Sequence, residues 1–204
     1  ELALVREPVD FAHLQADVDD IMQLLAAEAG VIMEGRQEED SIAYRYVLGS
    51  ELYLRQIFLN IYSNCIKYNR PGGKVITHVT SSELPDGKVL LCWEITDTGI
   101  GMSSDFQNRL FDPFSREQRK DAEHVTGTGL GTVIAKQLAE LMDGDLVYES
   151  RLGEGTVCTI TLPLTIDFEA SSTLNEHHAH DRATLAGMNI LLAEDNDLNR
   201  EIAL

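Results

Sequence analysis

Three short stretches hold residues whose types and spacing suit chemistry. In "LNIYSNCIKYN", residues 59–69, Asn60, Asn64 and Lys67 recur at spacings of four and three, which puts them in one stripe of a helix. An amide oxygen is a hard, neutral ligand suited to a mostly hydrated Mg²⁺. A lysine ammonium is a point charge for phosphate, and the neighbouring Tyr68 can line or stack on a base. A solvated helix face is the plain alternative. However, exposed faces favour better helix formers than asparagine, and two of them one turn apart invite a functional explanation.

In "DTGIGM", residues 97–102, Asp97 stands where an apolar run breaks off. A carboxylate accepts hydrogen bonds and donates none, which suits an exocyclic amine such as that of adenine. Gly99 and Gly101 let the backbone pass close to a flat ligand. A glycine-rich turn with a turn aspartate explains the stretch equally well. In "GTGLGT", residues 127–132, glycines expose backbone N–H groups just ahead of an amphipathic run. A helix N-terminus there adds partial positive charge, so polyphosphate is a natural ligand. The stretch lacks the Lys-Ser/Thr of a P-loop, and no strand feeds it, so the dinucleotide fingerprint fits badly.

The elements that must position these residues follow from capping, periodicity and turn signals. Asp10 caps a helix through "FAHLQADVDDIMQLLAAEA", stopped by Gly30. Strands are expected at "VIMEGR" and "IAYRYVL". Ser50 caps the helix bearing the asparagines, which ends near "NRPGG" because Pro71 disfavours helix at Arg70. "KVITHVTSS" and "KVLLCWEIT" form a hairpin round "LPDG", and "SDFQNRL" is a short helix. Residues 115–128 are polar and glycine-punctuated, as in a loop. The following helix carries an apolar face of Leu130, Val133, Ile134, Leu138 and Leu141. "DLVYES" and "TVCTITLPL" close with a hairpin round "RLGEG". Together these predict a two-layer α/β sandwich, with a mixed, mostly antiparallel sheet covered on one face by three helices.

The chain has 204 residues, with 16 basic against 34 acidic side chains and a net charge of −18. That field repels phosphate backbones and excludes a nucleic-acid partner bound by a basic surface. A phosphate ligand must be held by a few placed groups and a metal ion. Cys65, Cys92 and Cys158 are far apart in apolar runs and read as buried small hydrophobes in a reducing compartment. No apolar run approaches the roughly 20 residues of a membrane span, and no signal peptide opens the chain. The expected setting is a cytoplasmic piece of a longer protein, whose parent could be membrane-anchored. Periodicity stops at about Asp167. We therefore expect a folded domain over 1–166, a linker over 167–187, and over 188–204 ("MNILLAEDNDLNREIAL") a strand, an acidic turn and the start of a helix.

Four motifs in order, "LRQIFLNIYSNCIKYN", "DTGIGM", "LFDPFSRE" and "GTGLGT", resemble the N, G1, F and G2 boxes of sensor histidine kinases. The closing "GEGTVCTITLPL" is similar to that family's last hairpin. The resemblance implies the Bergerat ATP-binding fold shared with gyrase, Hsp90 and MutL. It also implies ATP and Mg²⁺ as ligands. By that resemblance Asn64 holds the metal, helped by Asn60. Lys67 meets phosphate, Tyr68 lies along the nucleotide and Asp97 holds the adenine amino group. Gly99, Gly101, Met102 and Thr156 complete the base pocket. Phe111 and Phe114 anchor a lid over residues 115–128, to which Arg116, Arg119, Lys120, Thr126 and Thr128 belong. Gly127, Gly129, Leu130 and Gly131 wrap the phosphates.

In ATPase branches of that superfamily a glutamate general base stands one turn before the metal asparagine. Here the residue is Asn60, which takes no proton at neutral pH. This implies a kinase that passes phosphate to a protein nucleophile. None of His13, His78, His124 or the "EHHAH" histidines matches the family's acceptor motif. The acceptor is therefore expected on dimerisation helices of the same parent, to which "LVREPVDF" resembles the connecting segment. The 188–204 stretch resembles the start of a receiver domain, with Glu194 and Asp195 as its Mg²⁺-holding acidic pair. The implied parent is a hybrid sensor histidine kinase, homodimeric, with this chain alone a monomer. The alternatives are an ATPase or protein serine kinase of the same superfamily, and a degenerate nucleotide-binding scaffold.

Overall fold

The computed structural model describes residues 6–36, 45–117 and 128–170. The expected linker beyond residue 170, the receiver-like segment with Glu194 and Asp195, and Arg119, Lys120, Thr126 and Gly127 of the expected lid lie outside the described residues.

Residues up to Phe168 make one compact unit. It opens with strand β1 (Glu7–Asp10), which runs straight into helix α1 (Phe11–Ala29). The Asp10 carboxylate caps α1 by accepting from the His13 amide, at 3.1 Å. It also receives a two-pronged contact from the Arg45 guanidinium. At the far end Gly30 adopts a left-handed conformation, φ 68°, and its N–H turns back onto the last turn. Strand β2 (Ile32–Arg36) and strand β3 (Tyr46–Gly49) follow. Ser50 then caps helix α2 (Glu51–Lys67). Strands β4 (Lys74–Leu84) and β5 (Lys88–Asp97) make a hairpin. After it come the short helix α3 (Ser104–Gln107), helix α4 (Gly131–Leu141), and strands β6 (Asp145–Arg151) and β7 (Gly155–Ile166).

The seven strands form one sheet in the order β1-β3-β7-β5-β4-β2, with β6 also paired to β7. All pairings are antiparallel except β2 with β4. The two-layer expectation therefore holds. Strand β1 is an addition: four residues gave no alternating signal, and only its pairing with β3 fixes it.

Alternation along β5 decides which face is covered. Val89, Leu91, Trp93, Ile95 and Asp97 are buried and point at the helices, as every second residue of a strand must. Trp93 is central, with ring centroids 5.0 Å from Phe11 and 5.1 Å from Phe58. It is 1% exposed. Trp93→Ala should lower the unfolding free energy by about 3–5 kcal/mol, measured by denaturant titration with an unchanged slope.

One sequence expectation needs correcting. Helix α4 does not bury Ile134 and Leu141, which are 38% and 39% exposed. Its buried set is Val133, Ala135, Leu138 and Ala139. Two alanines on the inner side let α4 approach closely, so its inner stripe is narrower than a count of large apolar residues suggests.

Candidate functional site

A cavity of about 230 Å³ opens between α2, the loop after β5 and the start of α4. It makes a wall of two of the three residues in the asparagine stripe, Asn64 and Lys67, and not of Asn60. Asn64, Lys67 and Tyr68 line the cavity. The wet face of α2 lies elsewhere, at exposed Glu51, Gln56 and Ser63.

Asp97 lines the same cavity and is only 7% exposed. It is the last residue of β5, paired with Thr156 on one side and Val75 on the other. Burial raises its pKa to about 6, against hydrogen bonds from the Gly99 and Thr156 amides and the Cys65 thiol. The Gly99 N–H donates to Asp97 Oδ1 at 2.8 Å. A Cβ at Gly99 would collide with the Tyr68 carbonyl oxygen. That tight approach lets Ile100 N–H donate to the same carbonyl, at 3.0 Å. Arg70 braces the loop from outside, donating to the carbonyls of Gly99 at 3.1 Å and Gly153 at 2.6 Å. Sequence inspection passed over this arginine because it sits in a Pro/Gly turn.

At the opposite wall, Thr128, Gly129, Gly131 and Thr132 line the cavity. Among the described residues helix α4 has no side-chain cap, and the first N–H groups of a helix have no intrahelical acceptor. Asn64 Nδ2 donates to Thr132 Oγ1 at 3.3 Å, which leaves its amide oxygen without a partner among the described residues. Burial, and then the charge of Arg116, lowers the Lys67 pKa. The ends of the expected lid meet: a Cβ at Gly129 would press on the Ser115 carbonyl and the Phe114 backbone.

Other expected site residues fall outside the lining. Asn60 sits under Gly131, whose added Cβ would lie 3.4 Å from Asn60 Oδ1. That oxygen accepts from Gln56 at 3.2 Å, while Asn60 Nδ2 is buried without a partner among the described residues. Gly99, Leu130 and Arg116 lie beside the cavity without lining it, and Phe114 is 72% exposed. Phe111 packs behind the wall, 6.1 Å from the Tyr148 ring. Met102 and Gly101 line the cavity, as does Thr156.

The lining also includes residues that sequence inspection did not select: Ile61, Cys65, Ile100, Phe106, Leu110 and Tyr148 among them. Ile61 and Cys65 were legible only as apolar positions of α2, each three residues before a polar lining residue, Asn64 and Tyr68. Cys65 is buried, and burial followed by the Asp97 charge raises its thiol pKa well above normal. It is a wall group and no nucleophile.

What the arrangement offers is one buried acceptor at an inner wall, an apolar slot, and an amide, an ammonium and a helix N-terminus at the mouth. A flat base with an exocyclic amine, carrying an anionic tail, matches that polarity. The structure of full-length ShkA in complex with AMPPNP is similar at TM-score 0.63 and 28% identity, over 81% of this chain and 32% of that one. The mycobacterial sensor histidine kinase MprB is similar at TM-score 0.59 and 25% identity, over 80% of this chain and 100% of that one. In sequence, the autoinducer 2 sensor kinase/phosphatase LuxQ of Vibrio parahaemolyticus is 30% identical over 95% of this chain and 23% of its own length. The aerobic respiration control sensor protein ArcB of Escherichia coli K12 is 29% identical over 100% of this chain and 25% of its own length. The chain thus spans about a quarter of these relatives. Residues 49–166 match the histidine kinase-, DNA gyrase B- and HSP90-like ATPase family, and the chain belongs to that family.

Proposed function

We propose that this chain binds ATP with Mg²⁺ and donates the γ-phosphate to a histidine on dimerisation helices of its parent protein, a hybrid sensor histidine kinase. The observation that carries the proposal is the shared cavity of Asn64, Lys67 and Tyr68 with Asp97. Asp97 accepts from the adenine amine. The Asn64 amide oxygen is the group suited to Mg²⁺, with Asn60 behind it, and Lys67 faces phosphate. The uncapped start of α4 and Gly129 and Gly131 receive the remaining phosphate charge. The fit for Mg²⁺ rests on this single free amide oxygen. Among the described residues no cluster of three metal-binding His, Cys, Asp or Glu side chains exists. The ion would therefore be held mainly through the phosphates, neutralising their charge as the γ-phosphoryl leaves.

Asn60 favours transfer over hydrolysis, because an amide cannot deprotonate water. Positioning of the acceptor in line with the γ-phosphate requires the missing helices. Partners are those helices and a receiver domain of the same or a separate protein, in a dimeric parent working in the cytoplasm. No described helix is long and apolar enough to cross a membrane.

The decisive experiment joins the upstream dimerisation helices to the chain and supplies labelled ATP. Acid-labile, base-stable label on protein is expected. The chain alone should bind ATP·Mg yet hydrolyse it negligibly. Steady-state hydrolysis on the order of 10 per second would reject the kinase in favour of an ATPase, and failure to bind would favour a scaffold.

A further inference from the structure

Among the described residues, two buried side-chain polar atoms have no hydrogen-bond partner: Asn60 Nδ2 and the Tyr148 hydroxyl. Of the two residues, Tyr148 lines the cavity and Asn60 does not. An unpaired buried hydroxyl is costly, and here it sits at the wall of a ligand site.

Register places it. On the covered face, Asp97, Thr156 and Ser150 make one row across β5, β7 and β6. Ile95, Cys158 and Tyr148 make the next row. The cavity spans both, because Asp97, Thr156 and Tyr148 all line it. The two inward hydroxyls of β6 have different fates. Ser150 Oγ is spent on structure: it accepts from Met102 N–H at 2.9 Å, donates to the Gly155 carbonyl at 2.8 Å and meets Thr156 Oγ1 at 3.0 Å. The Tyr148 hydroxyl makes no such bond. Thr132 and Cys158 lie nearby, yet neither forms a hydrogen bond of normal geometry with it. Thr132 Oγ1 already accepts from Asn64. The Tyr148 ring is held from behind by Phe111. Burial, more than any neighbour, raises the phenol pKa well above normal, so at neutral pH it presents an O–H.

We propose that the Tyr148 hydroxyl donates a hydrogen bond to a ring nitrogen of the bound purine, and is a selectivity residue of the base pocket. The polarity is complementary to that of Asp97. An aminopurine offers a donor at its exocyclic amine and acceptors at its ring nitrogens. The carboxylate takes the former and the phenol meets one of the latter. A base lacking that ring acceptor would leave the hydroxyl stranded, which is how a pocket rejects a near-isostere.

The proposal rests on the nucleotide site proposed above, and the test keeps the two apart. Binding of ATP with Mg²⁺, and of its 1-deaza, 3-deaza and 7-deaza analogues, is measured by calorimetry for the unaltered chain and for Tyr148→Phe. The substitution should weaken ATP binding about fivefold to thirtyfold. One deaza analogue should lose a similar factor with the unaltered chain and nothing further with Tyr148→Phe, a closed cycle that isolates the contact. Without ligand, Tyr148→Phe should melt no lower than the unaltered chain, since it deletes an unpaired group. Equal ATP affinity of the two chains with no analogue coupled, or a lower ligand-free melting temperature, overturns the proposal while ATP binding itself stands. Absence of ATP binding by the unaltered chain overturns the nucleotide site and this proposal with it.

Discussion

Asp97→Asn is expected to lose ATP by more than about a hundredfold, while the ligand-free protein melts at or above the temperature of the unaltered chain. The two effects have opposite signs because one group serves two states. In the ligand-free fold the carboxylate is buried at 7% exposure, and its pKa is raised from 3.8 to about 6. A raised carboxyl pKa means that the folded state favours the neutral form. The associated stability is fully present below pH 4 and is lost as pH rises through about 6. At pH 7 the ionised group then costs on the order of 3 kcal/mol, which an amide avoids in part. With ligand bound, the ionised form is the one that accepts from the amine. Affinity for adenosine, which has no titrating phosphate, should therefore fall about tenfold per pH unit below pH 6 and stay flat in Asp97→Asn. Calorimetric titration between pH 5 and pH 8 measures both. A pH-independent affinity in the unaltered chain would remove Asp97 from the base contact.

Gly155→Ala should be severely damaging for a single methyl group. Gly155 opens β7 at φ 112°, and a Cβ there would collide with the carbonyl oxygen of Asp97. Both partners are backbone, so neither can swing aside. The pair joins β5 to β7 at the row that carries Asp97 and Thr156. We expect a loss of more than about 4 kcal/mol, a fall in melting temperature of about 10 °C or more, and loss of nucleotide binding in whatever remains folded. Gly153→Ala is the matched control. It has φ 84° but nothing within 4 Å of an added Cβ, so it bears only the backbone term of about 1–2 kcal/mol. Similar losses in the two variants would show that φ, and not the collision, sets the cost.

Part of the cavity lining was legible because its residues are out of place by local rules. Asn64 is a poor choice for the middle of a helix, and Asp97 interrupts an apolar strand; both line the cavity, whereas Asn60, equally out of place, sits behind the wall. What stayed hidden obeyed local rules and drew its role from position. Cys65 and Ile61 look like ordinary core residues of α2. Tyr148 looks like an ordinary strand aromatic. Its place in the cavity wall comes from a register between β6 and β7 that no window of sequence encodes. Arg70 reaches carbonyls 29 and 83 residues away. In α4, size misled: Ile134 and Leu141 drew the eye, while Ala135 and Ala139 make the contact. Strand β1 was missed because its alternation spans only four residues and its partners, Tyr46 to Gly49, lie far along the chain.

Strand β7 has a consequence for how the chain is made. It bonds to β5, β6 and β3, yet it is the last of the described strands to leave the ribosome. Until Ile166 has emerged, β3 and β5 each lack their β7 partner, and Asp97 has no Thr156 beside it. The strands made before β7 must wait with apolar faces open. The sheet closes late and nearly at once, in the manner of folds dominated by long-range pairing. The cavity wall, to which β7 contributes Thr156, is then complete only once the last described strand has paired.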